Sequence, residues 1–162
     1  MTCIYLAGPL FTEAERAWHT QTKVLLLQAA AQQNAAIDVV WPYELITTEE
    51  IIALGSAART EIFRRCKDGL DNARIVVALL DGTQVDDGTA WEIGYFFSRK
   101  SAGQAIIGIR TDFRQAGESA SAIVNAMIEM ACDHIVHNRN DLMEAVLLAL
   151  GNSSYILDSQ NL

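Results

Sequence analysis

The chain has 162 residues, of which 51% are apolar and 20% are charged, with a formal net charge of −8. This length and composition suit one folded domain with its own core and exclude a disordered chain. The negative net charge argues against nucleic acid or an anionic membrane as the main partner, because proteins that bind either one carry clustered Lys and Arg.

The three cysteines, Cys3, Cys66 and Cys132, are widely spaced and form no CxxC pair. Neither a disulfide framework nor a zinc site is therefore expected, and the three histidines also lack metal-ligand spacing. The sequence shows no charged segment followed by an apolar one, which is the pattern of a signal peptide. No apolar run reaches membrane-spanning length. These features fit a protein of the reducing cytoplasm.

The chain alternates between apolar runs typical of buried strands and longer stretches with helical spacing. Thr12 followed by Glu15 forms a capping box, which predicts a helix start. In chain order, the pattern predicts strand 2–7, helix 12–33, strand 37–41, a helical region 47–72 with a break at 55–56, strand 75–80, helix 89–100, strand 105–109, helix 119–131, strand 134–136 and helix 140–150.

This alternation predicts an α/β fold: a flavodoxin-like, doubly wound, five-stranded parallel sheet with helices on both faces. Ligands of such sheets bind at the carboxyl ends of the strands. Residues 1–162 contain no repeat or linker, so we expect one domain with a polar tail at 151–162. That tail either frays or folds over a cleft or a neighbour, with Tyr155, Ile156 and Leu157 as its anchor.

Four carboxyl groups surround one predicted strand end within residues 75–97: Asp81, Asp86, Asp87 and Glu92. Asp81 and Asp87 each precede a glycine, a pattern typical of turns. Asp86 lies on the loop side of Glu92, and two carboxyls near one cleft favour a division into acid and base roles.

Thr89 and Glu92 form a second capping box, which predicts Thr89 as the N-cap of the helix. Two compatible interpretations of Glu92 follow. In one, its carboxylate only satisfies backbone donors. In the other, the positive end of the helix dipole favours the ionised form that a carboxylate nucleophile needs.

The first predicted strand brings two further residues toward the cleft. The Tyr5 hydroxyl is either a buried group with a satisfied partner or a donor that orients a catalytic carboxylate. Gly8 allows a sharp turn after the strand. The chain contains neither a dinucleotide-binding fingerprint nor a phosphate loop.

Three segments, in order and at compatible spacing, resemble the nucleoside 2-deoxyribosyltransferase family over roughly residues 2–131. The first is 4–8, Ile-Tyr-Leu-Ala-Gly, together with Phe11. The second is 86–95, which matches D-x-G-x-x-x-E-x-G-Y, and the third is 125–127, which matches N-x-M.

The resemblance implies a nucleotide-salvage reaction that exchanges the base of a 2′-deoxyribonucleoside for a free purine or pyrimidine, without metal or cofactor. Glu92 would be the nucleophile that attacks the anomeric carbon. Asp86 would contact and help protonate the leaving base, and Tyr5 would hold the Glu92 carboxylate.

The resemblance also implies the substrate contacts and the assembly. Asn125 and Met127 would come from a neighbouring subunit, with Asn125 binding the sugar 5′-hydroxyl. An obligate homo-oligomer follows, in this family often a hexamer built from dimers. Gly8, Phe11 and Gly88 complete the expected substrate-binding set.

One position departs from the family pattern, which places a second base-contacting Asp in the helix before the central strand. Ungapped counting puts Cys66 there, and Asp68 lies two residues further on. Either the register shifts locally or the protein binds the base with fewer acids. The preference for purine or pyrimidine is therefore open.

Two other functions remain open from the sequence. One is an N-glycoside hydrolase of nucleoside 5′-monophosphates, which would need phosphate-binding groups, whereas the first loop (8–11, Gly-Pro-Leu-Phe) is apolar. The other is a non-catalytic nucleotide-sensing module, which the fold alone permits. Carboxylates at Asp86 and Glu92 would repel the phosphate of a nucleotide bound by such a module.

Overall fold

The computed structural model describes residues 1–151, and the predicted tail anchor at Tyr155, Ile156 and Leu157 lies outside them. All strands are parallel, and their order in the sheet is β2-β1-β3-β4-β5. This order confirms the flavodoxin-like prediction. The strands are β1 (Thr2–Ala7), β2 (Ile37–Val40), β3 (Ile75–Leu79), β4 (Ala105–Ile109) and β5 (His134–Val136).

The helices fall close to the predicted segments, with two exceptions described below. They are α1 (Glu13–Gln32), α2 (Thr48–Leu54), α3 (Ala58–Asn72), α4 (Asp87–Arg99), α5 (Ala126–Glu129) and α6 (Arg139–Ala149). The predicted break between α2 and α3 is a short 3₁₀ turn over Gly55–Ala57, where Gly55 has a φ of 52°. A positive φ of this size suits glycine because it has no Cβ.

The first helix starts as the sequence predicts. The Thr12 side chain accepts a hydrogen bond from the Glu15 backbone, and the Glu15 carboxylate accepts one from the Thr12 backbone at 2.7 Å. This reciprocal capping box satisfies two of the donors that a helix start leaves without intrahelical partners.

Strand β1 divides its side chains between two core layers. Ile4 and Leu6 pack on the face covered by α1 and α6. Tyr5 and Ala7 pack on the opposite face, among residues of α3 and α4. Because successive side chains of a strand point to opposite faces, Tyr5 is directed toward the helix that carries Glu92.

The predicted helix 119–131 is wrong in its first half, since α5 begins only at Ala126. Residues 119–125 form turns instead, with the Ala122 amide donating to the Ser119 carbonyl. The Asn125 side chain caps α5 by accepting from the Met127 amide at 3.0 Å. Ser and Asn side chains compete with helical backbone hydrogen bonds, which favours turns and caps over a helix interior.

Within residues 1–151, no helix is both long enough and apolar enough to cross a membrane.

Candidate active site

A cavity of about 670 Å³ opens where β1, β2 and β3 end. Its walls come from the loop after β1, the segment around α2, one face of α3 and the start of α4. Most of its surface is apolar, and its polar side chains lie both around α2 and where α3 meets α4. The apolar wall contains Leu10, Phe11, Tyr43, Ile46, Ile51 and Ile62.

Glu92 and Tyr5, which are far apart in sequence, meet at this cavity. The Tyr5 hydroxyl donates to Glu92 Oε1 at 2.5 Å, and Glu92 lines the cavity. Tyr5 itself is completely buried in the sheet. Burial of the ring fixes the hydroxyl in space, so it holds the carboxylate in one orientation.

The environment of Glu92 favours its neutral form. Burial raises the pKa of the Glu92 carboxyl to about 7, the Tyr5 hydrogen bond opposes that rise, and the charge of Asp86 adds to it. We expected the helix dipole to favour the ionised form, but α4 begins at Asp87, so Glu92 lies beyond its first turn. Because the dipole acts mainly within the first turn, desolvation outweighs it here.

Asp86, and not Thr89, is the N-cap of α4, so the predicted capping box is wrong. Asp86 Oδ2 accepts from the backbone amide and the hydroxyl of Thr89, each at 3.0 Å. Asp87 and Gly88, predicted as a turn, form the first helical turn. Asp caps helices as well as Thr does, and here the earlier residue takes the position.

The cap leaves one oxygen of Asp86 available. Among residues 1–151, Asp86 Oδ1 makes no hydrogen bond, and Asp86 lines the cavity. A carboxylate held on one side by its own helix presents its other side in a defined direction. Asp86 is therefore placed to meet a ligand in the same cavity as Glu92.

The glycines and the aromatic residue expected at the site also line the cavity: Gly8, Phe11 and Gly88. A Cβ on Gly8 would lie 2.5 Å from His19 Nε2, so the loop after β1 packs directly on this buried histidine. Phe11 is 71% exposed at the cavity rim. The sequence did not single out His19 as a support for this loop.

The two candidates for a second acid are separated by the structure. Cys66 lines the cavity, whereas Asp68 is bonded to Arg64 Nη1 at 2.6 Å and its side chain is 52% exposed. Residues two apart on a helix point in different directions, so only one can face the cavity. Of the two candidates, Cys66 is therefore the one that lies at the cavity.

Asn125 and Met127 do not reach the cavity of their own chain. The Asn125 amide group caps α5 and donates to Glu118 Oε1. Met127 is 80% exposed on the same short helix. The structure thus brings Tyr5, Asp86 and Glu92 together and leaves the 125–127 segment on the surface.

The cavity is acidic. Glu44, Glu49, Asp86 and Glu92 all line it, and none of its described lining residues is Lys, Arg or His. The nearby Arg16 guanidinium donates to the carbonyls of Leu10 and Phe11, at 3.0 and 2.8 Å. A neutral ligand rich in hydrogen-bond donors suits this cavity better than a phosphate.

A buried arginine anchors the loop that leads to Asp86. Arg110 is 1% exposed, and its guanidinium donates to the carbonyls of Leu80, Gly82 and Arg114. The Asp81 carboxylate, predicted only as a turn residue, accepts from the Thr111 amide at 2.6 Å. The one sequence signal for this anchor was an arginine directly after an apolar strand.

The family model described as nucleoside 2-deoxyribosyltransferase matches residues 4–127. A curated protein of Ureaplasma parvum, described as uncharacterized, is 30% identical over 155 residues, which cover 91% of this chain and 95% of that protein.

Three solved structures share the fold. A conserved protein from Enterococcus faecalis matches with a TM-score of 0.71 and 25% identity, covering 91% of this chain and 98% of its own. A 2-deoxyribosyltransferase from Bacillus psychrosaccharolyticus matches with a TM-score of 0.65 and 24% identity, and the match covers 92% of this chain and 96% of that protein. A 2-deoxyribosyltransferase from Leishmania mexicana matches with a TM-score of 0.62 and 20% identity, and the match covers 91% of this chain and 97% of that protein.

The raised pKa of Glu92 predicts that Glu92→Gln stabilises the protein at neutral and alkaline pH. The unfolded chain ionises Glu92 near its ordinary pKa of 4.5, whereas the folded chain does so only near 7. The stability gain should therefore grow from pH 4.5 to pH 7 and then level off at about 2 to 3 kcal/mol. Urea unfolding followed by circular dichroism between pH 4.5 and 8.5 measures this gain.

The matched control is Asp68→Asn, which removes an exposed carboxylate on α3 outside the cavity. Its effect on the free energy of unfolding should lack the rise seen for Glu92→Gln. A gain at Glu92 that stays constant over this pH range would contradict the assignment of a raised pKa.

Proposed function

The chain belongs to the nucleoside 2-deoxyribosyltransferase family, and from this premise we propose that it exchanges the nucleobase of 2′-deoxyribonucleosides by double displacement. Glu92 is the nucleophile, Asp86 acts on the base and Tyr5 orients Glu92. The observation that carries the proposal is the half-buried Glu92 carboxylate, held by Tyr5 in a cavity that Asp86 also lines.

In the first displacement, a Glu92 oxygen attacks the anomeric carbon while the bond from that carbon to the base nitrogen breaks. Tyr5 occupies Oε1, and within residues 1–151 Oε2 makes no hydrogen bond, so Oε2 is the attacking atom. The electron pair of the broken bond moves to the base nitrogen. The proton that this nitrogen takes up comes from Asp86 when its carboxyl is protonated, and otherwise from a water that the Asp86 carboxylate orients.

In the second displacement, a nitrogen of the incoming base attacks the same carbon, the Glu92 carboxylate leaves, and the proton lost by the base returns to Asp86 or to the water that it orients. Two inversions give net retention, as in retaining glycosidases. Water competes with the incoming base for the covalent intermediate. The apolar wall that includes Leu10, Phe11 and Ile62 supports exchange over hydrolysis, because it limits water at the reacting carbon.

We further propose that the active site is completed by a second copy of the chain. Asn125 and Met127 match the family pattern but lie on the surface, away from their own cavity. Met127 and Met130 are 80% and 78% exposed, and Trp91 on the neighbouring α4 is 45% exposed. Apolar exposure of this kind marks protein–protein contacts. In this assembly, Asn125 of one subunit binds the sugar 5′-hydroxyl of the nucleoside in the cavity of the neighbouring subunit.

Hydrolysis of nucleoside 5′-monophosphates is the second candidate, and the charge of the cavity disfavours it. A phosphate would enter a space bordered by Glu44, Glu49, Asp86 and Glu92. None of the described lining residues is Lys, Arg or His, and although Lys23 Nζ pairs with Glu44 at 2.5 Å, Glu49 and Asp86 have no such partner within residues 1–151. A non-catalytic nucleotide sensor is disfavoured for the same reason.

The first test incubates the protein with a 2′-deoxyribonucleoside and a different free base and separates the products by liquid chromatography. We expect the exchanged nucleoside to form, and we expect Glu92→Ala to lower the initial rate by at least about 1000-fold, since it removes the covalent route. Asp68→Asn should exchange at the wild-type rate, because its side chain points away from the cavity. Unchanged exchange in Glu92→Ala would contradict the role of Glu92.

The second test compares a deoxyribonucleoside with its 5′-monophosphate as base donor. The acidic cavity predicts a kcat/KM at least about 10-fold lower for the monophosphate, which corresponds to one unfavourable interaction of roughly 1.4 kcal/mol. Free base released faster from the monophosphate than from the nucleoside would reverse the order of the two candidates.

The third test examines the shared site by mixing two impaired variants. Glu92→Ala lacks the nucleophile, and Asn125→Asp places a negative charge where the neighbour's sugar is proposed to bind. After dissociation and reassembly together, mixed oligomers should regain exchange activity, because some sites combine an intact Glu92 with an intact Asn125. Separately reassembled variants are the control. Activity that never exceeds their sum would contradict the shared site.

A further inference from the structure

The loop that carries Asp86 is tied to the loop after the neighbouring strand β4. Arg110, the residue directly after β4, is buried, and its guanidinium donates to the carbonyls of Leu80 and Gly82. The same guanidinium donates to the Arg114 carbonyl at 2.8 Å. One buried side chain thus bonds both loops, and the mechanism described above makes no use of it.

Two carboxylates reinforce this tie, one from each loop. Asp81 accepts from the backbone amides of Thr111 and Asp112, at 2.6 and 2.9 Å. In return, Asp112 accepts from the Gly82 amide at 3.2 Å. We call the side chains of Arg110, Asp81 and Asp112 the loop clamp. It joins residues 80–82 to residues 110–114.

Arginine suits the centre of the loop clamp because its planar guanidinium carries five N–H donors in a fixed arrangement. Three carbonyls are bonded by it at once, which the compact ammonium of lysine on its flexible stem does not reproduce. Burial makes this geometry strict, since a buried charge that lacks its partners is costly. The guanidinium therefore fixes the carbonyls that it bonds.

Between the loop clamp and Asp86 the chain has few other contacts. Gly82 has a φ of 118°, and a Cβ there would lie 3.1 Å from the Gln84 carbonyl oxygen, so the chain turns sharply. Thr83 and Gln84 are exposed, and within residues 1–151 their side chains make no hydrogen bond. Val85 packs against the core. The loop clamp therefore sets where this short loop begins, and the helix cap sets where it ends.

We propose that Arg110 and Asp81 are positioning residues that act through Asp86, holding its free oxygen, or the water that it orients, at the nitrogen of the leaving base. The cap fixes one oxygen of Asp86 to the Thr89 amide, and the loop clamp fixes the loop from which Asp86 reaches the cavity. A displacement of about 1 Å at a reacting group lowers a rate by about 100-fold. The inference deepens the proposed function and rests on it, since its catalytic consequence requires Asp86 to act on the base.

The experiment compares two base donors that differ in their need for a proton. The base of 2′-deoxyadenosine must be protonated as it leaves, whereas the base of 7-methyl-2′-deoxyguanosine already carries a positive charge and leaves without an added proton. In double displacement, kcat/KM for the donor reports only the first displacement. The ratio of the two kcat/KM values therefore measures protonation of the leaving base, and a general loss of folded protein cancels from it.

Asp81→Ala removes the Asp81 bonds of the loop clamp. It should lower kcat/KM for 2′-deoxyadenosine by at least about 10-fold and kcat/KM for the methylated donor by less than about 2-fold. The matched control is Asp133→Ala. Asp133 Oδ2 accepts from the Ile106 amide at 2.7 Å, at the opposite end of β4 from Arg110. This control loses a similar bond away from the cavity and should leave the ratio unchanged.

Arg110→Met tests the guanidinium itself and should lower the ratio at least as far as Asp81→Ala does. Arg110→Lys should not restore the ratio, because an ammonium does not bond three carbonyls in the same arrangement. Asp81→Ala decides the proposal even where Arg110→Met fails to fold, because Asp81 is only partly buried.

Asp86→Asn separates an action through Asp86 from any other effect of the loop clamp. This variant should lower the ratio by itself, and adding Asp81→Ala should lower it no further, because no carboxyl remains to be positioned. Equal losses for the two donors in Asp81→Ala would overturn the proposal. So would an effect of Asp81→Ala on the ratio that persists in full beside Asp86→Asn.

A readout that needs no activity keeps this proposal separable from the proposed function. Because Asp86 Oδ2 accepts from the Thr89 amide at 3.0 Å, a displaced Asp86 leaves that amide without its partner. Its hydrogen–deuterium exchange, followed by NMR, should be at least about 5-fold faster in Asp81→Ala than in the wild type or Asp133→Ala. If the wild type transfers no base while the Thr89 amide responds as expected, the positioning of Asp86 stands and the proposed function fails. If base transfer occurs and the donor ratio does not change, the positioning role fails and the function stands.

Discussion

The site depends on one energetic conflict: the Glu92 carboxylate on α4 is partly removed from water beside the carboxyl ends of the strands. Desolvation opposes the charge on Glu92, and Asp86 opposes it further. The Tyr5 hydroxyl stabilises the charge by donating a hydrogen bond to Glu92. A group kept near its ionisation midpoint at neutral pH serves as a nucleophile and is readily expelled afterwards, which double displacement requires.

The fold resolves this conflict by fixing the donor rigidly. Tyr5 lies in the middle of the sheet, paired with β2 on one side and β3 on the other. Gly69 allows α3 to pack on its ring, so the hydroxyl has no room to move away from Glu92. On the other side of the cavity, Gly8 packs on His19 and sets the course of the loop that forms the apolar wall. Glycines at these points let backbone come close to side chains, and the rigid contacts position the site.

The carboxylates near β3 have separate roles because their hydrogen bonds differ. Asp81 bonds to the backbone after β4 and joins Arg110 in holding the loop. Asp86 caps α4 with one oxygen and leaves the other for the cavity. Glu92 has Tyr5 as its partner. One acidic cluster in the sequence thus contains a structural acid, a helix cap that lines the cavity and a proposed nucleophile.

The sequence by itself determined the order of strands and helices, the doubly wound sheet and the residues at its carboxyl edge, because hydrophobic periodicity and caps are local properties of the chain. It failed where two local signals competed: Asp86 took the cap predicted for Thr89, and Asn125 capped α5 where the pattern predicted a helix interior. Only the tertiary structure decided that Tyr5 meets Glu92 across 87 positions and that Cys66 and not Asp68 faces the cavity. It also decided that burial outweighs the helix dipole at Glu92, since desolvation depends on what packs around a residue and not on its neighbours in sequence.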